Sequence, residues 1–341
     1  YRFIYTETNG PMLTCGSLML TNGGALVLYG GRSNGAVANC GAFVNVSGDV
    51  AVRTNSWIYP VSHPTNALGV LLAVGNLWIA AGGGINADTR GWSAGLTNSA
   101  EGRRGWGPGG STGGASYGGQ GGNGTSTYGS VSAPMEPGSG GNTSDYANRG
   151  GNGGGAVRIE VNGNVTVNGT ISANGGSRSG YNGGGGSGGA IYVVCDTIAG
   201  SNGLVCADGG YGQAGGGGGG RIAVIYTNVA AQNAAPVPEI VYSAAGSPPD
   251  PNNFSLLSEC GTLYFPDNRF LTETFRHKGQ WAVPGFTNWA PNTLTITNGW
   301  LRLNHDGFRL AVSNQLTIAG TGTVYNKLEL SNGWLTCGQN L

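Results

Sequence analysis

Three stretches of this chain repeat in register, and that constrains its fold more than any other feature. Residues 156–176 read AVRIEVNGNVTVNGTISANGG, residues 190–210 read AIYVVCDTIAGSNGLVCADGG, and a third copy starts at Arg221 as RIAVIYTN before diverging. The interval from Val157 to Ile191 is nearly the same as that from Ile191 to Ile222. A fainter copy lies upstream, where Ile85-Asn86-Ala87-Asp88 matches Ile171-Ser172-Ala173-Asn174 and Val205-Cys206-Ala207-Asp208. Val157, Ile159 and Val161 alternate with Arg158 and Glu160, the period of a strand with one buried face. Val165-Thr166-Val167 repeats the alternation, and Asn168-Gly169 turns the chain. Asn-Gly occurs twelve times. It suits positive φ, because Gly has no Cβ and Asn tolerates the left-handed region. A hairpin is one reading of each pair. Recurrence in register favours a solenoid, in which equivalent strands stack and bury one continuous core. The expected fold is all-β, a right-handed parallel β-helix.

Glycine makes up 69 of the 341 residues. The runs at 150–155, 183–189 and 215–220 each stand just before a strand. Equivalent placement predicts that they stack as extended, polyglycine-II-like arcs, backbone on backbone. Flexible linkers need not be periodic. The chain then divides into N-terminal rungs (1–101), a Gly/Ser/Asn/Tyr insertion (102–154), the glycine-rich repeats (155–229), a Pro/Ala-rich connection (230–262) and C-terminal rungs (263–341). The insertion is expected to be ordered and to leave the solenoid. Only 9% of residues are charged, and the 16 basic and 16 acidic side chains cancel. A nucleic-acid partner is therefore not expected, for want of a basic excess. The composition is not that of a disordered chain, and no triplet period marks collagen. The longest aliphatic run, residues 70–74, is too short to span a bilayer, so no membrane insertion is expected. Tyr1 is not an initiator Met, and no charged-then-apolar leader follows it; a removed signal peptide or a longer parent chain is expected.

Near the start the chain reads Asn9-Gly10-Pro11-Met12-Leu13-Thr14-Cys15-Gly16, and near the end Asn332-Gly333-Trp334-Leu335-Thr336-Cys337-Gly338. LTITNGWLRL (294–303) likewise recurs as LELSNGWLTC (328–337), at the same interval as Val157 to Ile191. These matches suggest a chain that begins to repeat itself. An uncapped solenoid edge pairs with the next one, and head-to-tail pairing that does not close makes fibres. The expected junction comprises Phe3, Ile4, Tyr5, Leu13 and Cys15 at one end and Leu328, Leu330, Trp334, Leu335 and Cys337 at the other. Cys15 and Cys337 are then candidates to meet where copies stack.

The segments YGSVSAPMEPGSGG (128–141), GGGAVRIEV (153–161), VNGTISANGG (167–176), GGGGSGGAIYV (183–193) and GGGGGGRIAVIY (215–226) resemble a pattern in large, glycine-rich bacterial extracellular and surface proteins. The resemblance covers about a third of the chain. It implies a parallel β-helix within a secreted chain, and no catalytic residue.

Chemistry-bearing residues are sparse. Glycoside hydrolysis needs two facing carboxylates, yet the acids are scattered. Glu273, Arg276, His277, Lys278 and Trp281, with His305 and Asp306 downstream, form the best patch for a polysaccharide lyase, with His as base and Arg or Lys stabilising charge; a solvated charged loop is the alternative. No G-x-S-x-G elbow occurs. No glycine run leads into Gly-Lys-Ser/Thr. Gly209-Gly210-Tyr211-Gly212-Gln213 lacks the Asp of a calcium nonapeptide, so neither a cofactor nor a metal is expected. Cys195 aligns with Val161 and should point into the core; Cys206 aligns with Ser172 and should point outward. Trp92, Trp106, Tyr117, Tyr128 and Tyr146 lie in or near glycine-rich segments, either stacking on sugars or lying as lids over glycine backbone. The favoured function is an extracellular structural subunit or tandem unit whose partner is itself, stacked head to tail. The rivals are an adhesin that holds a cell-surface glycan through the insertion and, behind it, the lyase or glycosidase.

Overall fold

The computed structural model describes residues 12–31, 40–63, 67–96, 103–124, 126–143, 149–179, 182–248, 257–320 and 326–338. The first strands are β1 (Leu13–Cys15), β2 (Leu18–Leu20), β3 (Ala25–Tyr29), β4 (Ala42–Val52), β5 (Trp57–Val61), β6 (Val70–Ile79) and β7 (Gly84–Asn86). The repeat region supplies β8 (Ala156–Val161), β9 (Asn164–Val167), β10 (Thr170–Ser172), β11 (Ala190–Cys195), β12 (Thr197–Ala199), β13 (Ser201–Cys206) and β14 (Arg221–Tyr226). One helical turn and a half, α1 (Val229–Ala234), precedes β15 (Glu239–Ser243) and β16 (Thr262–Tyr264). Next come β17 (Thr274–Phe275), β18 (Lys278–Ala282), β19 (Asn288–Trp289), β20 (Thr293–Thr297) and β21 (Trp300–Leu303). The last are β22 (Arg309–Val312), β23 (Gln315–Ala319), β24 (Lys327–Leu330) and β25 (Trp334–Cys337). Among the described residues the fold is all-β apart from α1.

Every pairing between these strands is parallel, which removes the hairpin reading, since a hairpin pairs its strands antiparallel. One ladder of ten runs β1–β4–β6–β8–β11–β14–β16–β18–β21–β24. A second runs β2–β4–β6–β9–β12. A third runs β3–β5–β7–β10–β13–β15. Together they form a nineteen-stranded sheet, beside two three-stranded sheets, β17–β20–β23 and β19–β22–β25.

In the central region the sequence repeats are the structural register. Val157, Ile191 and Ile222 pair in one column, and Ile85, Ile171 and Val205 in another. The C-terminal repeat differs. Leu294 pairs with Leu316, and it is Leu301, not Leu294, that pairs with Leu328. The match between 294–303 and 328–337 is therefore one ladder out of step. A Leu-x-Leu-x-Asn-Gly-Trp-Leu string describes any strand, turn and strand, so it matches wherever two successive faces follow one another. At six of the Asn-Gly pairs the asparagine has positive φ: Asn22, Asn123, Asn182, Asn202, Asn298 and Asn332.

The inward positions of all ladders merge into one core, from Leu20 to Leu316. It is aliphatic through β13 and turns aromatic around Tyr226, Tyr242, Phe265, Phe270, Phe275 and Trp281. A polar column flanks it. Asp88 Oδ1 accepts the Asn174 N–H (2.7 Å), Asn174 Oδ1 accepts the Asp208 N–H (2.7 Å), and Asp208 Oδ1 accepts the Ala245 N–H (2.7 Å). Each side chain thus ties its turn to the next rung. Gln232 of α1 does the same for the second ladder beyond β12: its amide accepts the Ile198 N–H (2.7 Å) and donates to the Ile198 carbonyl (2.9 Å), as a further strand would.

The glycine runs carry no strand or helix, yet their backbones bond to one another and to the insertion. Gly185 N–H donates to Gly215 O (3.0 Å), Gly188 to Gly218 O (3.0 Å), and Gly217 to Gly210 O (2.8 Å). Ala115 N–H donates to Gly185 O (3.0 Å) and Gly138 N–H to Gly154 O (2.8 Å). The described part of the insertion is therefore ordered, and it lies over the outer side of the first ladder, where Tyr117 and Tyr128 pack on Ala156 and Ala190.

Candidate functional site

Two edges of the stack stand out from the residues upward. Among the described residues, β1, β2 and β3 have a strand partner on one side only, and so do β23, β24 and β25. Their inward side chains show the consequence. Leu13, Cys15, Leu18 and Leu26 are only partly buried, while their partners one rung in, Val44, Val46, Val50 and Ile58, are 2% exposed or less. At the other edge Leu328, Leu330 and Cys337 are partly buried, against 1% or less for Leu301, Leu303 and Val312. Met12, Met19 and Val27 are exposed at the first edge; Ile318, Trp334 and Leu335 are exposed at the second, Trp334 at 69%. Phe3, Ile4 and Tyr5 lie outside the described residues.

The two Leu-Thr-Cys strands sit at opposite edges but in different sheets. β1 heads the ladder that ends in β24, whereas β25 ends the sheet of β19 and β22. An in-line copy therefore sets β24 against β1, and Cys337 does not face Cys15. None of the six cysteines is in a disulfide. Cys195 points into the core as its alignment predicts. Cys206 lies outside that core but is buried rather than exposed, with Asn174 Nδ2 donating to its sulfur at 3.4 Å. The covering is the polar column and the arcs outside it. Burial pushes the thiols of Cys195, Cys206 and Cys260 up to about 12.

The aromatic candidates separate by burial. Tyr117 has no exposed surface, which removes it as a platform for a ligand. Tyr128 donates from its hydroxyl to Pro137 O (2.7 Å) and meets Ser139 Oγ (2.8 Å); burial raises its phenol pKa. Trp92 is half-buried, its ring lying on the Gly107 backbone where a Cβ would come within 2.6 Å of Cδ1. Trp106 is exposed at 44%. Tyr146 lies outside the described residues.

The charged patch is divided between the surface and the core, with Arg276 and His277 on one cleft beside Glu239. Glu273 is on the surface, accepting from the Asn292 N–H (2.7 Å) and the Thr293 hydroxyl (2.9 Å), which lowers its pKa. Arg276 is exposed and Lys278 half-buried. His305 and Asp306 sit on an exposed turn. His277 is buried among Tyr242, Phe275 and Trp281. Its Nδ1 accepts the Tyr242 N–H (3.1 Å), so Nε2 carries the proton and donates to Phe270 O (3.2 Å). Thr274–Phe275 and Lys278–Ala282 are thus strand, with Phe275, His277 and Trp281 in the core, while Glu273 and Arg276 are exposed beside them. The imidazole fills the step where the third ladder narrows to the single Ser243–Lys278 pair between β15 and β18 and β17 begins a new sheet. Burial lowers its pKa to about 4.

Sequence reasoning missed this narrowing of the third ladder, the strand-mimicking Gln232, and a charged cleft beside Trp300. No local pattern marks any of them, because each depends on which rung faces which. No helix of the described residues is long and apolar enough to cross a membrane. No family model, curated protein or solved structure matches the chain.

Proposed function

We propose that this chain is a structural unit of an extracellular fibre: a right-handed parallel β-solenoid, sheathed on one side by polyglycine-II-like arcs, that extends by stacking end to end on identical units. The observation that carries this reading is that, among the described residues, the strands at both ends of the stack leave inward positions half-covered that their paired neighbours bury. An in-line copy brings Leu328 and Leu330 of one unit over Leu13 and Cys15 of the next, continuing the first ladder with parallel backbone hydrogen bonds. Completing the burial of each half-covered leucine contributes on the order of 1 kcal/mol, part of the ~1.5–3 kcal/mol of full burial. Open edges of this kind are templates for pairing unless charge or a bulge blunts them; the large exposed apolar side chains of the edge strands are Met19, Val27, Ile318, Trp334 and Leu335, and the two charges on β24, Lys327 and Glu329, are half-buried and engaged with Trp300 and Arg302. The scarcity of charge suits close packing of neighbouring rods, and the glycine arcs give a rigid wall with no side chains to order.

Sedimentation velocity tests it. The native chain forms species that grow with concentration. The double variant Met19→Lys, Trp334→Lys, charged at both edges, stays monomeric, while Val131→Lys, at an exposed site away from them, behaves as the native chain. A native chain that remains monomeric throughout, or a double variant that polymerises equally, removes the proposal.

A further inference from the structure

The glycine-rich layer does not cover the whole outer face of the first ladder. One outward column reads Ala156, Ala190, Arg221, Thr262, Gln280, Arg302 and Glu329 through successive strands. Its first members lie under the layer: Tyr117 and Tyr128 pack on the alanines, and Arg221 Nε donates to Tyr128 O at 2.8 Å. Beyond that the layer ends, and a cleft of about 470 Å³ opens between its margin at Gln120 and Asn123 and the strands β21 and β24.

The floor of the cleft is built, not incidental. Trp300 and Arg302 alternate with the core residues Leu301 and Leu303 and pair in register with Lys327 and Glu329. The Lys327 ammonium stands 3.8 Å from the indole centroid, a cation over a negative ring face. Arg302 Nη2 meets Glu259 Oε1 at 3.1 Å and its Nε meets Glu329 Oε2 at 3.6 Å. The Gln120 N–H donates to Glu259 Oε2 at 3.4 Å, joining the wall to the floor. Trp300 is 7% exposed and its Nε1 is buried without a partner among the described residues.

Two cations and two carboxylates cancel in this cleft, so it selects for no net charge. The ion pairs already satisfy one another, so a zwitterion has to break them, whereas hydroxyl groups add to them. Around the indole the cleft offers donors from Arg302, Lys327, Gln120 and Asn123 and acceptors from Glu259 and Glu329. A sugar hydroxyl both donates and accepts, and the volume falls within the range of small-molecule sites. We propose that this cleft binds a neutral saccharide, one or two residues of a glycan chain. Its floor includes β24, the strand an in-line copy would pair with, so binding is read on the native chain and on the double variant Met19→Lys, Trp334→Lys, which separates it from stacking.

Saturation-transfer NMR on the full chain tests it, with glucose, galactose, mannose and N-acetylglucosamine, their β-1,4-linked disaccharides, and glucuronate as the charged comparison. Transfer to at least one neutral sugar is expected. Lys327→Ala weakens binding by about tenfold, the loss of one charge-assisted hydrogen bond. Glu329→Gln, which keeps shape and loses charge, weakens it by a smaller factor. Both keep the native circular dichroism spectrum, and Trp106→Ala binds as the native chain does. No transfer to any neutral sugar, preference for glucuronate, or unchanged binding in both cleft variants overturns the proposal.

Discussion

Gly185→Ala is the sharpest test of how the glycine arcs hold together. A Cβ built on Gly185 overlaps the Gly210 carbonyl oxygen and comes within 2.8 Å of the Gly217 nitrogen, both backbone atoms that no rotamer can move. Gly185 also bonds on two sides, from its N–H to Gly215 O and from the Ala115 N–H to its carbonyl, each at 3.0 Å. Relieving the overlap displaces an arc and opens at least one of these bonds. Overpacking costs about 1–3 kcal/mol, and each lost hydrogen bond about 1 kcal/mol. The sum is roughly 2–4 kcal/mol with one bond lost and about 3–5 kcal/mol with both, a large share of the ~5–15 kcal/mol of a typical domain. Gly16→Ala is the control, because nothing lies within 4 Å of a Cβ there. Its effect should stay within about 0.5 kcal/mol, with a small gain from restricting the unfolded chain. Urea unfolding followed by far-UV circular dichroism reads both, as midpoint shifts at a common slope. Equal midpoints for Gly185→Ala and Gly16→Ala would refute backbone-on-backbone packing of the arcs.

Two further outcomes follow from buried groups. His277 has a folded pKa near 4, below its ordinary ~6.5. Between these values the unfolded chain binds a proton that the folded one does not, so stability falls as pH drops from about 6.5 to about 4, by roughly 3 kcal/mol. His277→Gln keeps an acceptor for the Tyr242 N–H but does not titrate, so unfolding curves across that window should lose this slope; an unchanged slope rejects the assignment. For the cysteines, iodoacetamide alkylation of the folded double variant Met19→Lys, Trp334→Lys, which does not stack, should at mild alkaline pH mark the half-buried Cys15 and Cys337, and spare Cys40, Cys195, Cys206 and Cys260, which are buried. Peptide mass mapping reads it, and labelling of Cys195 without denaturant contradicts the buried core.

Much of the architecture is legible in the sequence where side chains alternate and recur. Val157, Ile191 and Ile222 announce their column because inward positions must be apolar and the coil length is nearly constant. The C-terminal coils mislead for the same reason. They carry no glycine arc, so consecutive faces look alike and the alignment slips from 294–303 to 328–337. The Leu-Thr-Cys match slips likewise, which is why Cys15 and Cys337 end in different sheets. Burial of Tyr117, Cys206 and His277 is not legible, since it depends on elements distant in the chain: β8 and β11 under Tyr117, Asn174 beside Cys206, and Tyr242 beside His277. The Trp300 cleft is invisible for a related reason. Gln120, Glu259 and Arg302 share no local pattern and meet only where the glycine layer stops.

Electron microscopy of the isolated protein at neutral pH, without fixation, tests end-to-end stacking most directly. Ten strands in the first ladder, at about 4.8 Å each, give an axial repeat of about 48 Å. The account predicts unbranched filaments with that repeat, their width that of a single unit. Discrete rods of one unit at every concentration, or filaments with an unrelated repeat, would contradict it.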